Sequence, residues 1–177
     1  MRSLKTIGLP LLAMLMLVGG NGCGFYKFAD VSIPGDVKTV RVNFFENRAQ
    51  YVNPQLSPSL TDRVRQRIVN QTKLTQTNGD NAHYDISATI TQYTVSTSGI
   101  STNTTNNQRE ASMNNLNVGV TITVRDQLHG AEPKEYQVSR SFPFAASLSL
   151  QAAESRLLDE IVDNLTDDIF NRIFSDW

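Results

Sequence analysis

The chain has 177 residues, with 16 basic against 17 acidic side chains, a net charge of −1 and a single cysteine. Near-neutrality argues against general nucleic-acid binding, which needs a basic surface, and one cysteine excludes an intramolecular disulfide. The length suits one ordinary domain.

The N-terminus reads as an export signal. Arg2 and Lys5 form a basic region ahead of an apolar run from Ile7 to Val18, the order of a secretory leader. A transmembrane helix requires about 20 apolar residues, whereas Gly19, Gly20, Asn21 and Gly22 end this run early, so the leader is expected to be cleaved. Gly20-Asn21-Gly22-Cys23 puts small residues directly before the sole cysteine and resembles a lipobox, in which the thiol is alkylated by a diacylglyceryl group before a peptidase cuts in front of it. Cys23 is therefore the expected lipidation site. The alternative is an ordinary buried thiol, because cysteine often behaves as a small hydrophobe; an unpaired thiol in an oxidising compartment would be a liability. At ~0.8 kcal/mol per buried methylene, more than one acyl chain anchors durably. Gly24, not the aspartate associated with inner-membrane retention, follows the cysteine, so the outer membrane is the expected location. Loss of residues 1–22 leaves 14 basic and 17 acidic side chains, a net charge of −3. Residues 23–36 then read as a lipidated tether and 37–177 as a single domain.

In chain order, Val37 to Phe45 reads as a period-two strand with Val40, Val42 and Phe44 on one face and Arg41 and Asn43 on the other. A helix follows, capped by Ser57 before Pro58 or in a second frame by Ser59 with Asp62. Its stripe is Leu60, Val64 and Ile68, with Arg63, Arg65 and Arg67 expected to flank it and reach water. A turn over 77–81 leads to a strand whose apolar parity runs through Tyr84, Ile86, Ala88 and Ile90 and then switches to Tyr93 and Val95. The switch predicts either a bulge near Thr91 or a strand buried on both faces, and the bulge is favoured. Residues 96–115 are nearly all Ser, Thr, Asn, Gln and Gly and read as a long polar loop.

Leu116 to Val124 alternates cleanly as a strand and is expected to form an antiparallel hairpin with Tyr136 to Phe144. Within the latter, Arg140 occupies an apolar position, which predicts a snorkelling side chain or a bulge, and Pro143 fits an edge strand. From Leu150 to Phe174 a second helix places Leu158, Ile161, Leu165, Ile169 and Ile173 on one stripe, with Glu154, Asp159, Glu160, Asp163, Asp167 and Asp168 expected in solvent. The element order is strand, helix, three strands, helix.

With a lipobox ahead of that order, the chain resembles the lipopolysaccharide-assembly lipoprotein family LptE. The likeness is carried by Cys23-Gly24-Phe25-Tyr26, Ser32-Ile33-Pro34 before Val37-Lys38-Thr39, Phe45-Glu46-Asn47-Arg48-Ala49, Val52-Asn53-Pro54, Asp168-Ile169-Phe170-Asn171 and the Phe174 to Trp177 end. The resemblance implies an α+β two-layer sandwich, two helices packed on one face of a four-stranded mixed sheet in the order βαβββα. It also implies a partner, the LptD-type outer-membrane β-barrel, whose lumen such proteins plug while helping lipopolysaccharide reach the outer leaflet. Members are not enzymes. The runner-up reading is a lipid-anchored binding or chaperone module of another envelope complex, for secretion or efflux.

Arg63 and Arg67 lie one helical turn apart and could chelate lipid A phosphates together, with Arg65 acting alone; the competing reading is a solvated helix face balanced by the acidic second helix. Loop 96–115 is expected either to contact the barrel wall or extend a strand, or to lack order. Phe25, Tyr26 and Phe28 beyond the lipid read as domain packing or as interfacial aromatics. His83 and His129 have no companions at ligand spacing for a structural zinc, which wants four, so no metal or cofactor is expected. No serine sits in a nucleophile elbow, and catalysis is not expected.

Overall fold

The computed structural model describes residues 33–102 and 109–175, and the side chains of these except at 98–102 and 109–112. Cys23, the aromatics at 25, 26 and 28, and the tip of the polar segment at 103–108 lie outside the described residues.

The elements are β1 (Thr39–Val42), β2 (Glu46–Asn47), α1 (Leu56–Gln71), β3 (Thr75–Gln76), β4 (Tyr84–Thr102), β5 (Arg109–Asp126), β6 (Lys134–Ala145) and α2 (Leu150–Phe174). They form one sheet in the order β3-β1-β4-β5-β6, with β2 also paired to β4. The sheet is mixed, because β1, β2 and β3 pair in parallel while β4, β5 and β6 pair antiparallel. The expected α+β class, two helices on a mixed sheet, is present. The strands number six and not four, since β2 and β3 are two residues each and too short to leave a period-two signal.

The first strand is shorter than its pattern suggested. Val40 and Val42 are buried, but β1 stops at Val42 and the face switches: Phe44 is 57% exposed while Phe45 is fully buried. Two hydrogen bonds hold the interrupted line along β4, from the Asn43 amide to the Ile86 carbonyl (2.9 Å) and from the Arg48 amide to the Ile90 carbonyl (2.9 Å).

Helix α1 begins before both cap frames, its N-cap two residues ahead of Ser57 and four ahead of Ser59. Gln55 is its N-cap without a side-chain bond, and Ser57 is buried inside the first turn. Asn53 supplies the polar group instead, its Oδ1 accepting the Gln55 amide at 2.9 Å. Pro58 still falls where an amide would have no intrahelical partner, so it costs little. The stripe Leu60, Val64 and Ile68 is fully buried as expected. Helix α2 spans Leu150–Phe174, with Ser149 as N-cap accepting the Ala152 amide at 3.2 Å. Its buried face is Ile161, Val162, Leu165, Ile169, Phe170 and Phe174, with Leu157, Leu158 and Ile173 at the margin. Each large side chain so buried contributes about 1.5–3 kcal/mol.

A bulge sits where the parity change placed it, for the β4–β5 register shifts between Ile90 and Gln92. Gly119 lies opposite, and a Cβ there would approach the Gln92 Cβ to 3.1 Å; glycine accommodates the close strand approach. The described parts of the expected polar loop extend strands, one of the outcomes weighed for it. Residues 96–102 continue β4 and 109–115 open β5, paired from Ser96 with Asn115 to Thr102 with Arg109. Hydroxyl and amide side chains mask strand character because period-two alternation needs an apolar face, and this hairpin extends past the core that would supply one.

Strand β6 pairs with β5 without a register shift and is the sheet edge, which suits Pro143. Arg140 snorkels: its guanidinium reaches the Asp168 carboxylate through Nε (2.5 Å) and NH2 (2.7 Å).

Candidate partner-binding face

The helices cover one face of the sheet, and no described element covers the other. Side chains of β4, β5 and β6 that point away from the core pair across the strands as Ser87 with Thr123, Thr89 with Thr121, Thr94 with Asn117, Thr121 with Gln137 and Asn117 with Ser141. Among the described side chains, formal charge on this face lies at one end, where Asp85 faces Arg125 and Thr123 faces Glu135, and along the β2 margin, where Glu46 pairs with Thr89 and holds Arg48. On β4, β5 and β6 the described side chains of this face from Ser87 towards the hairpin are neutral and polar. Asn117 is its centre: Nδ2 donates to Ser96 Oγ at 2.9 Å, and Ser141 Oγ donates to Asn117 Oδ1 at 2.6 Å, so one amide ties three strands together. Such a surface offers many hydrogen bonds without the desolvation cost of ions.

At the hairpin end, on the helix side, lies a polar cluster missing from the sequence reading. Glu154, assigned to solvent by its charge, is 8% exposed. Its carboxylate accepts the Tyr93 hydroxyl at 2.7 Å and the Tyr51 hydroxyl at 3.2 Å. Tyr51 stacks on Tyr93 with centroids 5.6 Å apart, and Asn53 Nδ2 reaches the Tyr93 hydroxyl at 3.4 Å. Burial, and then the hydrogen bond to Glu154, push the Tyr93 phenol well above its usual range. The signal was present: Glu154 is seven residues before Ile161 and so falls on the buried stripe. The network fixes residues 51–53 against β4 and α2, leaving Tyr51 and Val52 at the surface, 38% and 53% exposed.

The three candidate phosphate ligands all have partners within the domain. Arg63 pairs with Asp163, and Arg67 with Asp167 at 2.5 Å. Because the partners advance by four residues on each helix, α1 and α2 run parallel. Arg65, expected in water, turns inward and donates to the Val42 carbonyl from Nε (3.1 Å) and NH2 (2.8 Å), with Asp62 at 3.3 Å. A phosphate at Arg63 and Arg67 must displace Asp163 and Asp167.

At the opposite end His83 Nδ1 accepts the Lys38 amide at 3.0 Å. His129 bridges two carboxylates, Asp126 at 2.7 Å from Nδ1 and Asp36 at 2.8 Å from Nε2. Gly130, at φ +60°, turns the chain there, a conformation glycine adopts freely. Hydrogen bonds to Asp126 and Asp36 raise the imidazole above its ordinary value of 6.5. Asp36 is lowered, first by its bond to His129, and Asp126 is lowered by the same ring despite partial burial. The imidazolium contribution is thus complete below pH 6.5 and fades as pH rises through the raised histidine value, whereas the carboxylate contribution is present above 3.8 and fades on acidification. His129→Gln should therefore lower the melting temperature most between these limits and converge on the unsubstituted protein at alkaline pH; a pH-independent difference would reject the clamp. Among the described residues, no group of three His, Cys, Asp or Glu side chains is placed to hold a metal ion, and no helix is long and apolar enough to cross a membrane.

Solved structures with related folds include a minor lipoprotein from Acinetobacter baumannii, 17% identical over 79% of this chain and 92% of its own, at a TM-score of 0.43. The rare lipoprotein B of Shewanella oneidensis is 16% identical over 75% and 89%, at 0.40, and an uncharacterized lipoprotein B from Nitrosomonas europaea is 17% identical over 80% and 88%, at 0.46. No curated protein matches the sequence. The family model for LptE, lipopolysaccharide-assembly, matches residues 37–173, the whole domain from the segment before β1 to the last turn of α2, and the chain belongs to that family.

Proposed function

We propose that the protein is the lipid-anchored plug and assembly partner of an LptD-type outer-membrane β-barrel, acting by binding and not by catalysis. Family membership places it in lipopolysaccharide assembly. The observation that carries the finer reading is the neutral hydroxyl and amide surface that β4, β5 and β6 form from Ser87 to Ser141, organised around Asn117. The lumen of a large barrel is polar, and an occupant matches it with hydrogen-bonding side chains that bring few charges out of water. Cys23 is the lipidated residue in this reading and holds the domain beside the membrane in which the barrel sits.

Affinity purification of the tagged, full-length chain from its own envelope tests the proposal. Recovery of an LptD-type barrel is the expected result; recovery of a secretion or efflux component without a barrel overturns it. Cys23→Ser should give folded but mislocalised protein and lower barrel recovery about 100-fold or more, since tethering acts through effective concentration. An unfolded Cys23→Ser variant would identify the thiol as core instead of anchor.

A further inference from the structure

The sheet has three places where a further strand could add, and they are unequal. Strand β3 is two residues long, and β6 carries Lys134, Glu135, Arg140 and Pro143, the charges and proline that blunt an edge. The third is β4 itself. Its flank is occupied by β1 and β2 only as far as Ile90, after which no strand among the described residues pairs with it on that side. From Thr91 to Thr102 this flank contains no Lys, Arg, Asp, Glu or Pro. A long edge so free of guards is a template for strand addition.

The direction of the backbone groups follows from the bulge. Before it, core-facing residues turn their main-chain groups towards β1 and β2, as the Ile86 and Ile90 carbonyls do. Beyond Thr91 the core-facing parity moves to Tyr93 and Val95, while the Thr94 carbonyl lies on the β5 side, within 3.4 Å of Asn117 Nδ2. The N–H and C=O groups of Tyr93, Val95 and Thr97 therefore face the open flank. Beside them, Val95 is 44% exposed on the helix side and Thr94 and Ser96 are exposed on the other. An added strand meets an apolar side chain on one face and hydroxyls on the other.

We infer that this flank of β4, from Thr94 to Thr97 beyond the residues packed at Tyr93, receives one extended, uncharged segment from a loop of the barrel partner in main-chain pairing; the inference rests on the plug reading above. The match is with an extended loop segment alternating apolar and neutral polar residues, since the wall strands of a closed barrel are already paired on both sides. A charged segment would find no counter-ion along 91–102.

The test uses the full-length chain with its barrel. Val95→Pro removes an N–H that faces the flank while leaving the amides that bond to β5, and Val95→Thr keeps the N–H and the strand preference. The proline variant should recover about tenfold less barrel, with the threonine variant near the unsubstituted level and the circular dichroism spectra of both unchanged. A folded Val95→Pro variant with undiminished recovery overturns strand addition and leaves the plug reading standing. No barrel recovered with the unsubstituted chain overturns the plug reading and this inference with it. Should Val95→Pro not fold, a photoreactive residue at Thr97 decides: crosslinks to the barrel support the pairing, and crosslinks confined to the chain itself or to lipid overturn it.

Discussion

Phe45→Ala should cost about 3–5 kcal/mol of folding stability, the range for removing a fully buried aromatic ring. Phe45 is 0% exposed and sits in the break between β1 and β2, where no ladder of its own strand fixes the chain. What fixes it is the ring in the core together with its amide, which donates to Thr61 Oγ1 at 3.0 Å; that hydroxyl in turn donates to the Ser57 carbonyl at 2.7 Å. Removing the ring leaves a cavity and loosens the stitch from Phe45 to α1, leaving only the bonds from Arg65 to the Val42 carbonyl at the edge of the break. Domains have about 5–15 kcal/mol to lose, so the variant should melt at least 10 °C or so lower and show a reduced urea midpoint. A loss below about 1 kcal/mol would mean that the break collapses onto the gap, and that Phe45 is not the pin assigned here.

Asp85→Ala should cost nearly as much, about 3 kcal/mol, because it breaks a buried ion pair from one side. Asp85 is 6% exposed. Its carboxylate takes Arg41 in a fork, Nε to Oδ1 at 3.1 Å and NH2 to Oδ2 at 3.1 Å, and accepts Asn43 Nδ2 at 2.6 Å. Without it Arg41 keeps only exposed Asp80. Burial acts against the charged carboxylate, but the hydrogen bonds from Arg41 and Asn43 outweigh it and hold Asp85 below the ordinary 3.8. A lowered carboxyl contributes stability that is present above 3.8 and lost as pH falls through the folded value. The unsubstituted protein should therefore lose stability on acidification below about pH 4 more steeply than Asp85→Ala; parallel acid curves would remove Asp85 as the cause.

Those two residues mark the difference between what was legible in the sequence and what was not. Asp85 stands between Tyr84 and Ile86 in a clean alternation, and Arg41 does the same in β1, so periodicity put both on the face away from the helices; it could not say that parallel pairing of β1 with β4 would set them opposite each other. Phe45 was misjudged because extrapolating period two past Val42 assigned the buried place to Phe44. Long apolar patterns survived: the stripe of α1, the span of α2, the β5–β6 hairpin and the bulge at Thr91. Elements of two residues left no pattern at all, and the extended hairpin was hidden because both its faces are polar.

The candidate face was legible only in composition. A run of Ser, Thr and Asn announced hydrogen-bonding capacity, but its order came from pairing Asn117 between Ser96 and Ser141, residues 21 and 24 positions away in the chain. The arginines drew attention because a cation repeated at helical spacing resembles an anion site. Their actual partners, Asp163 and Asp167, lie 100 residues on, a distance at which local patterns carry no information about contact. Glu154 is the inverse case, a charge whose position on the apolar stripe outweighed its type.

Helix α2 also sets when the domain can close. It follows all the described strands in chain order, and it brings Ile161, Leu165, Ile169 and Phe174, each at most 1% exposed. Until it arrives, the strands and α1 lack the partner that covers their apolar face, and no shorter version of the chain can complete the core. Sheet pairing that waits for distant segments is slow, so the core closes only once α2 has joined the strands and α1.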